Sequence, residues 1–284
     1  TLNPGNSAII ELNDMSDSGH MQSDGALVQC MVGQQPDVQI RYNWLHDTEK
    51  FGARFDGEGD GNSGYIHHNV IWNVEGGIMV KGYNHNIYNN TAFDNVNKND
   101  IIIMIDQGGN EGTITINNAA NKIAGHRTGT YDLYPVPGIY QNNWNGYETN
   151  LDIKDLLTDV ENNDFTPIEN SELVDGGILY DNLDITYNGE NPDIGAYEFG
   201  GEYWIPGITW NVNQEFGEEF TFPDNLSNSL GDINNDGIIN ILDILVLIDV
   251  ILNDDTYIEN GDINGDGGIN ISDIILLINL ILDN

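Results

Sequence analysis

The tetrad "IRYN" at residues 40–43 returns as "IHHN" at 66–69, "IYNN" at 87–90 and "ITIN" at 114–117, at intervals of 26, 21 and 27 residues. A repeat of this size points to stacked coils rather than to a single globular sheet. The spacing varies while the tetrad does not, so the turns absorb length differences and the short strands stay aligned. That pattern predicts a right-handed parallel β-helix. Asn43, Asn69, Asn90 and Asn117 then form an internal ladder in which each amide satisfies buried backbone groups and its neighbours. The stretch "IIELND" at 9–14 reads as the preceding coil.

A second column follows from the same logic. "GALVQ" (25–29), "GARFD" (52–56), "GIMVK" (77–81) and "IIMID" (102–106) stand 27, 25 and 25 residues apart. Strand alternation turns Ala26/Val28, Ala53/Phe55, Ile78/Val80 and Ile103/Ile105 inward. It turns Leu27, Arg54, Met79 and Met104 outward in one row, and Gln29, Asp56, Lys81 and Asp106 in the next. With coils about 4.8 Å apart, Asp56–Lys81–Asp106 is expected as an outward ladder of alternating charge, with Arg54 beside it. The other sheet is expected to project Glu11, Arg41, His67 and Tyr88, and the following turn carries His46, Asp47 and Lys50. Such a ladder serves either as a register-setting ion-pair row or as the lining of a polysaccharide groove.

Charge divides the chain. There are 46 acidic and 8 basic residues, a formal net charge of −38. That balance excludes nucleic acid and anionic lipid as partners of the whole surface, since phosphate contacts need Lys and Arg. All 8 basic residues lie between Arg41 and Lys154, and residues 155–284 hold none. The single cysteine, Cys30, permits no intramolecular disulfide. The longest apolar run, "ILDILVLIDVIL" (241–252), is too short to span a membrane and contains Asp243 and Asp249. No nucleotide loop, Ser-centred elbow, zinc motif or dinucleotide fingerprint occurs.

The C-terminal end carries its own repeat, "GDINNDGIINILDILVLI" (231–248) and "GDINGDGGINISDIILLI" (261–278). A twelve-residue calcium loop takes oxygen ligands at positions 1, 3, 5, 7, 9 and 12 with glycine at 6. The first copy offers Asp232, Asn234, Asp236, the carbonyl of Ile238, Asn240 and Asp243. The second offers Asp262, Asn264, Asp266, the carbonyl of Gly268, Asn270 and Asp273. Two Ca²⁺ sites are therefore expected. The tandem resembles the type I dockerin module. The resemblance implies two calcium loop–helix motifs related by pseudo-twofold symmetry and docking to a cohesin-like receptor. Loop positions 10 and 11, often Ser/Thr in that family, are Ile241-Leu242 and Ile271-Ser272 here, which points to a more apolar interface.

"NDFTPIENSELVDGG" (163–177) and "NPDIGAYEFGGEYWIPG" (191–207) resemble the closing coil of secreted bacterial right-handed β-helix proteins, many of them polysaccharide lyases and glycoside hydrolases. The expected organisation is a β-helix over 1–200, a linker over 201–230 and the dockerin-like pair over 231–284. The chain opens at Thr1 without a methionine or a capping segment for its first coil, and is read as lacking upstream sequence. The function expected is extracellular or surface-associated degradation of an anionic glycan. For a lyase, Lys81 is the candidate base at C5, Arg54 the carboxylate neutraliser, and His46 or His67 the proton donor. For a hydrolase, Asp56 and Asp106 are the pair, two stacking steps or about 9.6 Å apart. A non-catalytic carbohydrate-binding or surface-structural β-helix is the alternative.

Overall fold

Short strands flanked by variable turns can bury an apolar face only by stacking on themselves, and the chain does this. The computed structural model describes residues 6–18, 24–30, 36–56, 63–106, 109–149, 151–207, 231, 233, 239–253, 259–265 and 267–282. The chain divides into two compact units, 1–209 and 210–284.

Among the described residues the first unit is a β-solenoid of two parallel sheets, followed by a small antiparallel pair, Leu157–Asp159 with Asp164–Pro167. One holds six three-residue strands in the order Ile9–Glu11, Gln39–Arg41, Tyr65–His67, Asn86–Tyr88, Ile114–Ile116 and Ile139–Gln141. Its inward column runs Ile10, Ile40, Ile66, Ile87, Thr115 and Tyr140 in direct register. The other sheet has nine strands, dominated by Trp44–Phe55 and Val70–Val80, which bend part-way between Thr48 and Phe51. Glycine is required at that bend: a Cβ on Gly77 would lie 2.2 Å from the Asp100 carbonyl oxygen.

The corner between the sheets carries the ladder. Its rungs are Asn13, Asn43, Asn69, Asn90, Asn118 and Asn143, joined by Nδ2–Oδ1 bonds of 2.9–3.0 Å. Each rung from Asn43 onward also donates to two backbone carbonyls, as Asn90 does to Ile66 and Tyr88. The residue before each rung, namely Leu12, Tyr42, His68, Asn89, Asn117 or Asn142, has φ between 48° and 57°. Left-handed backbone at non-glycine residues costs energy, and the amide bonds that follow hold it in place.

Two expectations about register need correction. The fifth rung is Asn118, not Asn117, because Ile87 pairs with Thr115 rather than with Ile114. Asn117 faces outward instead and holds Ile178 through its side chain, donating to the carbonyl and accepting from the N–H. In the second column, Arg54 pairs with Gln29 and Met79 pairs with Ile102, a two-residue shift at each end of the expected alignment. Strand alternation is blind to such a shift, since it preserves which face each side chain takes.

The solenoid is also wrapped. Ile178, Tyr180, Leu183 and Ile185 cover Tyr65, Tyr88 and Ile116 on the outer face of the six-stranded sheet. Residues 201–207, expected as linker, belong to the first unit: Trp204 stacks on Tyr197 and the Gly207 N–H donates to the Leu12 carbonyl. In the second unit, helices Ile241–Asn253 and Ile271–Leu282 pack around Ile233, Leu247 and Leu277. No helix is long and apolar enough to cross a membrane among the described residues.

Candidate functional site

The charged column forms a closed cluster. Asp56, Lys81 and Met104 occupy successive rungs, as their N–H bonds to the carbonyls of Cys30, Phe55 and Val80 show. The expected third member, Asp106, is therefore displaced; it lies exposed beyond the strand, next to Ile105, which is also exposed. "IIIMID" is apolar at five consecutive positions, so nothing in the pattern chooses between frames two residues apart.

The remaining charges neutralise one another. Lys81 Nζ stands 2.5 Å from Asp56 Oδ1, and the Arg54 guanidinium pairs with Asp56 Oδ2 and, at 2.6 Å, with Asp24 Oδ1. Gln29 donates to Asp56 and the Arg54 guanidinium lies over the Phe51 ring. The side chains of Arg54, Asp56 and Lys81 are only 4–9% exposed. Burial is affordable here because opposite charges meet at hydrogen-bond distance. The outward row is thus covered rather than open. Asp24, which sequence reasoning missed, is the exposed member, and the Arg54 guanidinium beside it holds its carboxyl below the usual carboxylate range. No spacing signal marks it, since it precedes its strand and lies 30 residues from Arg54.

The two candidate histidines stand elsewhere. His46 is clamped between Asp14 and Asp47, 2.7 Å from each, and stacks flat on Trp72 at 4.2 Å. His67 is buried, stacked on Tyr88 at 4.5 Å, with Nδ1 2.8 Å from His68 Nδ1. Burial, with His68 and Arg41 nearby, holds His67 well below the usual imidazole range, and burial takes His68 down to about 3. Both are neutral at physiological pH. The expected Glu11–Arg41–His67–Tyr88 column exists in register, but its last two members are interior: the wrapping segment covers Tyr88, and His67 lies among Tyr42, His68 and Tyr88. No hydrogen bond or ion pair joins His46 or His67 to the Arg54 cluster among the described residues.

In the second unit, Asp232, Asn234, Asp236, Ile238 and Asp266 lie outside the described residues. The described ligand candidates show the repeat at atomic level. Asp243 Oδ2 accepts the Asn240 N–H at 2.8 Å, and Asp273 Oδ2 accepts the Asn270 N–H at 2.9 Å. Asn240 and Asn270 each cap the following helix through Oδ1, to Leu242 and Ser272. Asp243 Oδ1 takes the Ile233 N–H and Asp273 Oδ1 the Asn264 N–H, while Asp262 Oδ2 takes that of Gly267. Asp243 and Asp273 are fully buried and Asp262 nearly so. Buried carboxylates in a region without Lys, Arg or His, flanked by amide and carbonyl oxygens, match the hard donor set that Ca²⁺ takes. Among the described residues no group of three acids, histidines or cysteines closes around an ion; the first-loop acids that would complete one are not among them.

Comparison with known families agrees with this reading of the C-terminal unit: residues 230–282 match the dockerin type I domain. Neither a curated protein nor a solved structure matches the chain.

Proposed function

We propose that the chain is a docked component of an extracellular polysaccharide-processing assembly. Its dockerin domain attaches it to a cohesin-type receptor through two calcium ions, and its solenoid contacts the polysaccharide. The dockerin match, with the mirrored Asn240–Asp243 and Asn270–Asp273 bonds, carries the reading. Asp232, Asn234, Asp236, the Ile238 carbonyl, Asn240 and Asp243 would hold one ion; Asp262, Asn264, Asp266, the Gly268 carbonyl, Asn270 and Asp273 the other. Calcium would neutralise these acids and so fix the start of each helix. Ile241, Leu242, Leu245, Ile271 and Ile275 are each more than half exposed on those helices, an apolar presentation suited to a partner protein rather than to water.

For the solenoid, the geometry favours polysaccharide contact over chemistry at the Arg54 cluster. A lyase base must reach a substrate proton, and Lys81 is held against Asp56 under cover. A hydrolase needs two facing carboxyls, and Asp106 is off the rung.

Binding to a panel of recombinant type I cohesins, with calcium and then with chelator, tests the docking reading. Expected is calcium-dependent binding by at least one cohesin, lost in Asp243→Ala and Asp273→Ala. Binding that survives chelation, or failure with every cohesin in calcium, would overturn it. Incubation with neutral and acidic polysaccharides should give neither unsaturated uronate nor new reducing ends that depend on Lys81 or Asp56.

A further inference from the structure

A cleft, separate from the charged cluster, opens where the wrapping segment meets the ladder corner. It has a volume of about 480 Å³, within the range of small-ligand sites. Its floor is aromatic and braced. Trp204 stacks on the buried Tyr197 at 4.4 Å and 11°, and the Tyr42 ring meets Trp204 edge-on at 5.4 Å. Tyr197 is itself fixed, donating to the Trp204 carbonyl at 2.8 Å and accepting from the Trp44 indole at 3.1 Å. Tyr42 sits in left-handed backbone at φ 54° and lies over the neutral His68 at 4.9 Å. A platform held this way loses little freedom when a ligand settles on it.

The walls are acidic. Glu11, Glu198 and Glu202 line the cleft. Arg41, the cation beside it, is paired with Glu11 at 2.7 Å. Glu198 accepts the N–H groups of Asn188 and Asp193, and burial raises its carboxyl to about 7. Near neutral pH it therefore both accepts and donates hydrogen bonds.

We propose that this cleft binds a neutral oligosaccharide, with the Trp204 ring as the stacking surface, Tyr42 standing perpendicular beside it, and Glu198 and Glu202 as partners of its hydroxyls. A pyranose presents C–H bonds of positive partial charge on its face, which suit the negative face of an aromatic ring. Its hydroxyls are donors for carboxylates. A uronate would bring like charge to Glu202 and to the ionised form of Glu198, so the cleft selects against the anionic glycan that the sequence suggested. The inference rests on the reading of the solenoid as a polysaccharide-contacting module and gives that reading a place and a substrate class.

Tryptophan fluorescence and calorimetry on the full chain in calcium, with cello-, xylo- and manno-oligosaccharides set against oligogalacturonates, test it. At least one neutral series should bind saturably and more tightly than any uronate. Trp204→Ala should weaken it at least tenfold, and Glu198→Gln several-fold. Glu202→Lys, at an exposed position, should raise uronate affinity even if Trp204→Ala proves unstable. Tighter binding of a uronate by the unaltered chain, or indifference to both Trp204→Ala and Glu202→Lys, would overturn the proposal. Retention on insoluble polysaccharide separates the two readings. If the chain is retained and Trp204→Ala is retained equally, the cleft is wrong and the module reading stands. If no polysaccharide retains the chain, the module reading fails and the cleft with it.

Discussion

Replacing Asn90 by alanine strikes the middle of the ladder, and its cost can be worked from the bonds removed. The Asn90 amide donates to the carbonyls of Ile66 and Tyr88 and to Asn118 Oδ1, while its own Oδ1 accepts the Asn69 N–H and side-chain amide. Ile66, Asn69, Asn90 and Asn118 lie at zero exposure and Tyr88 at 2%, so water does not replace what is lost. Two or three buried groups lose a partner, at about 1–2 kcal/mol each, giving about 3–5 kcal/mol of destabilisation. Asn13 sets the contrast: among the described residues it is the first rung, is partly exposed, and its side chain donates only to Asn43 and the Glu11 carbonyl. Asn13→Ala should cost about 1 kcal/mol or less. Asn90→Asp should behave like alanine, since a carboxylate accepts from Asn69 but cannot donate to the two carbonyls. Urea unfolding in calcium, followed by tryptophan fluorescence, reads chiefly the solenoid, because four of the five tryptophans, Trp44, Trp72, Trp144 and Trp204, lie in the first unit; Trp210→Phe removes the fifth from the signal. Equal costs for the Asn90 and Asn13 variants, within about 0.5 kcal/mol, would refute the ladder as a cooperative buried chain.

Asp56→Asn leaves Lys81 covered without its carboxylate and Arg54 with Asp24 alone, and should cost about 3–5 kcal/mol. Replacing Arg54, Asp56 and Lys81 together by apolar residues of similar volume should be far milder by the same denaturation assay, which would identify the cluster as structural. Asp100 gives a pH test: burial raises its carboxyl to about 7 against an ordinary 3.8, opposed by the Asn95 amide at 2.7 Å and by Lys122. The folded chain therefore keeps a proton that the unfolded chain releases near pH 4. This contribution to stability is complete below about pH 4 and is lost as pH rises to about 7, by up to roughly 4 kcal/mol. Asp100→Asn should remove that slope, and an unchanged slope from pH 4 to 8 in thermal melts would contradict the burial argument.

The fold was largely legible because the Asn corner imposes one fixed chemical demand per coil, and the sequence meets it in place. The Asn43–Asn69–Asn90 rungs, the Asp56–Lys81 neighbours and the inward isoleucines follow from spacing alone. Where the pattern carried two candidates, it misled. "ITINN" offers two asparagines, and the strand register that selects Asn118 depends on Thr115 turning inward. "IIIMID" hides its frame in uniform hydrophobicity. The least legible feature was cover: His67 and Tyr88 sit on an outward face, yet residues from 178–185 bury that face after returning from about a hundred positions downstream. Strand periodicity reports which way a side chain points and is silent on what later lies over it. The aromatic cleft escaped for the same reason, since Tyr42 and Trp204 are 162 residues apart.

Successive rungs of the ladder are separated by 30, 26, 21, 28 and 25 residues, yet their amide bonds are nearly identical in length. Coil circumference and coil register are therefore independent variables. An insertion or deletion of several residues away from the corner changes the outline of one coil and leaves its neighbours in place. Such a molecule can acquire new surface loops one coil at a time without rebuilding its interior, and whole coils become units of duplication. For engineering, the permissive sites are the segments between the bends, and the Asn corner is the seam along which grafted coils should be joined.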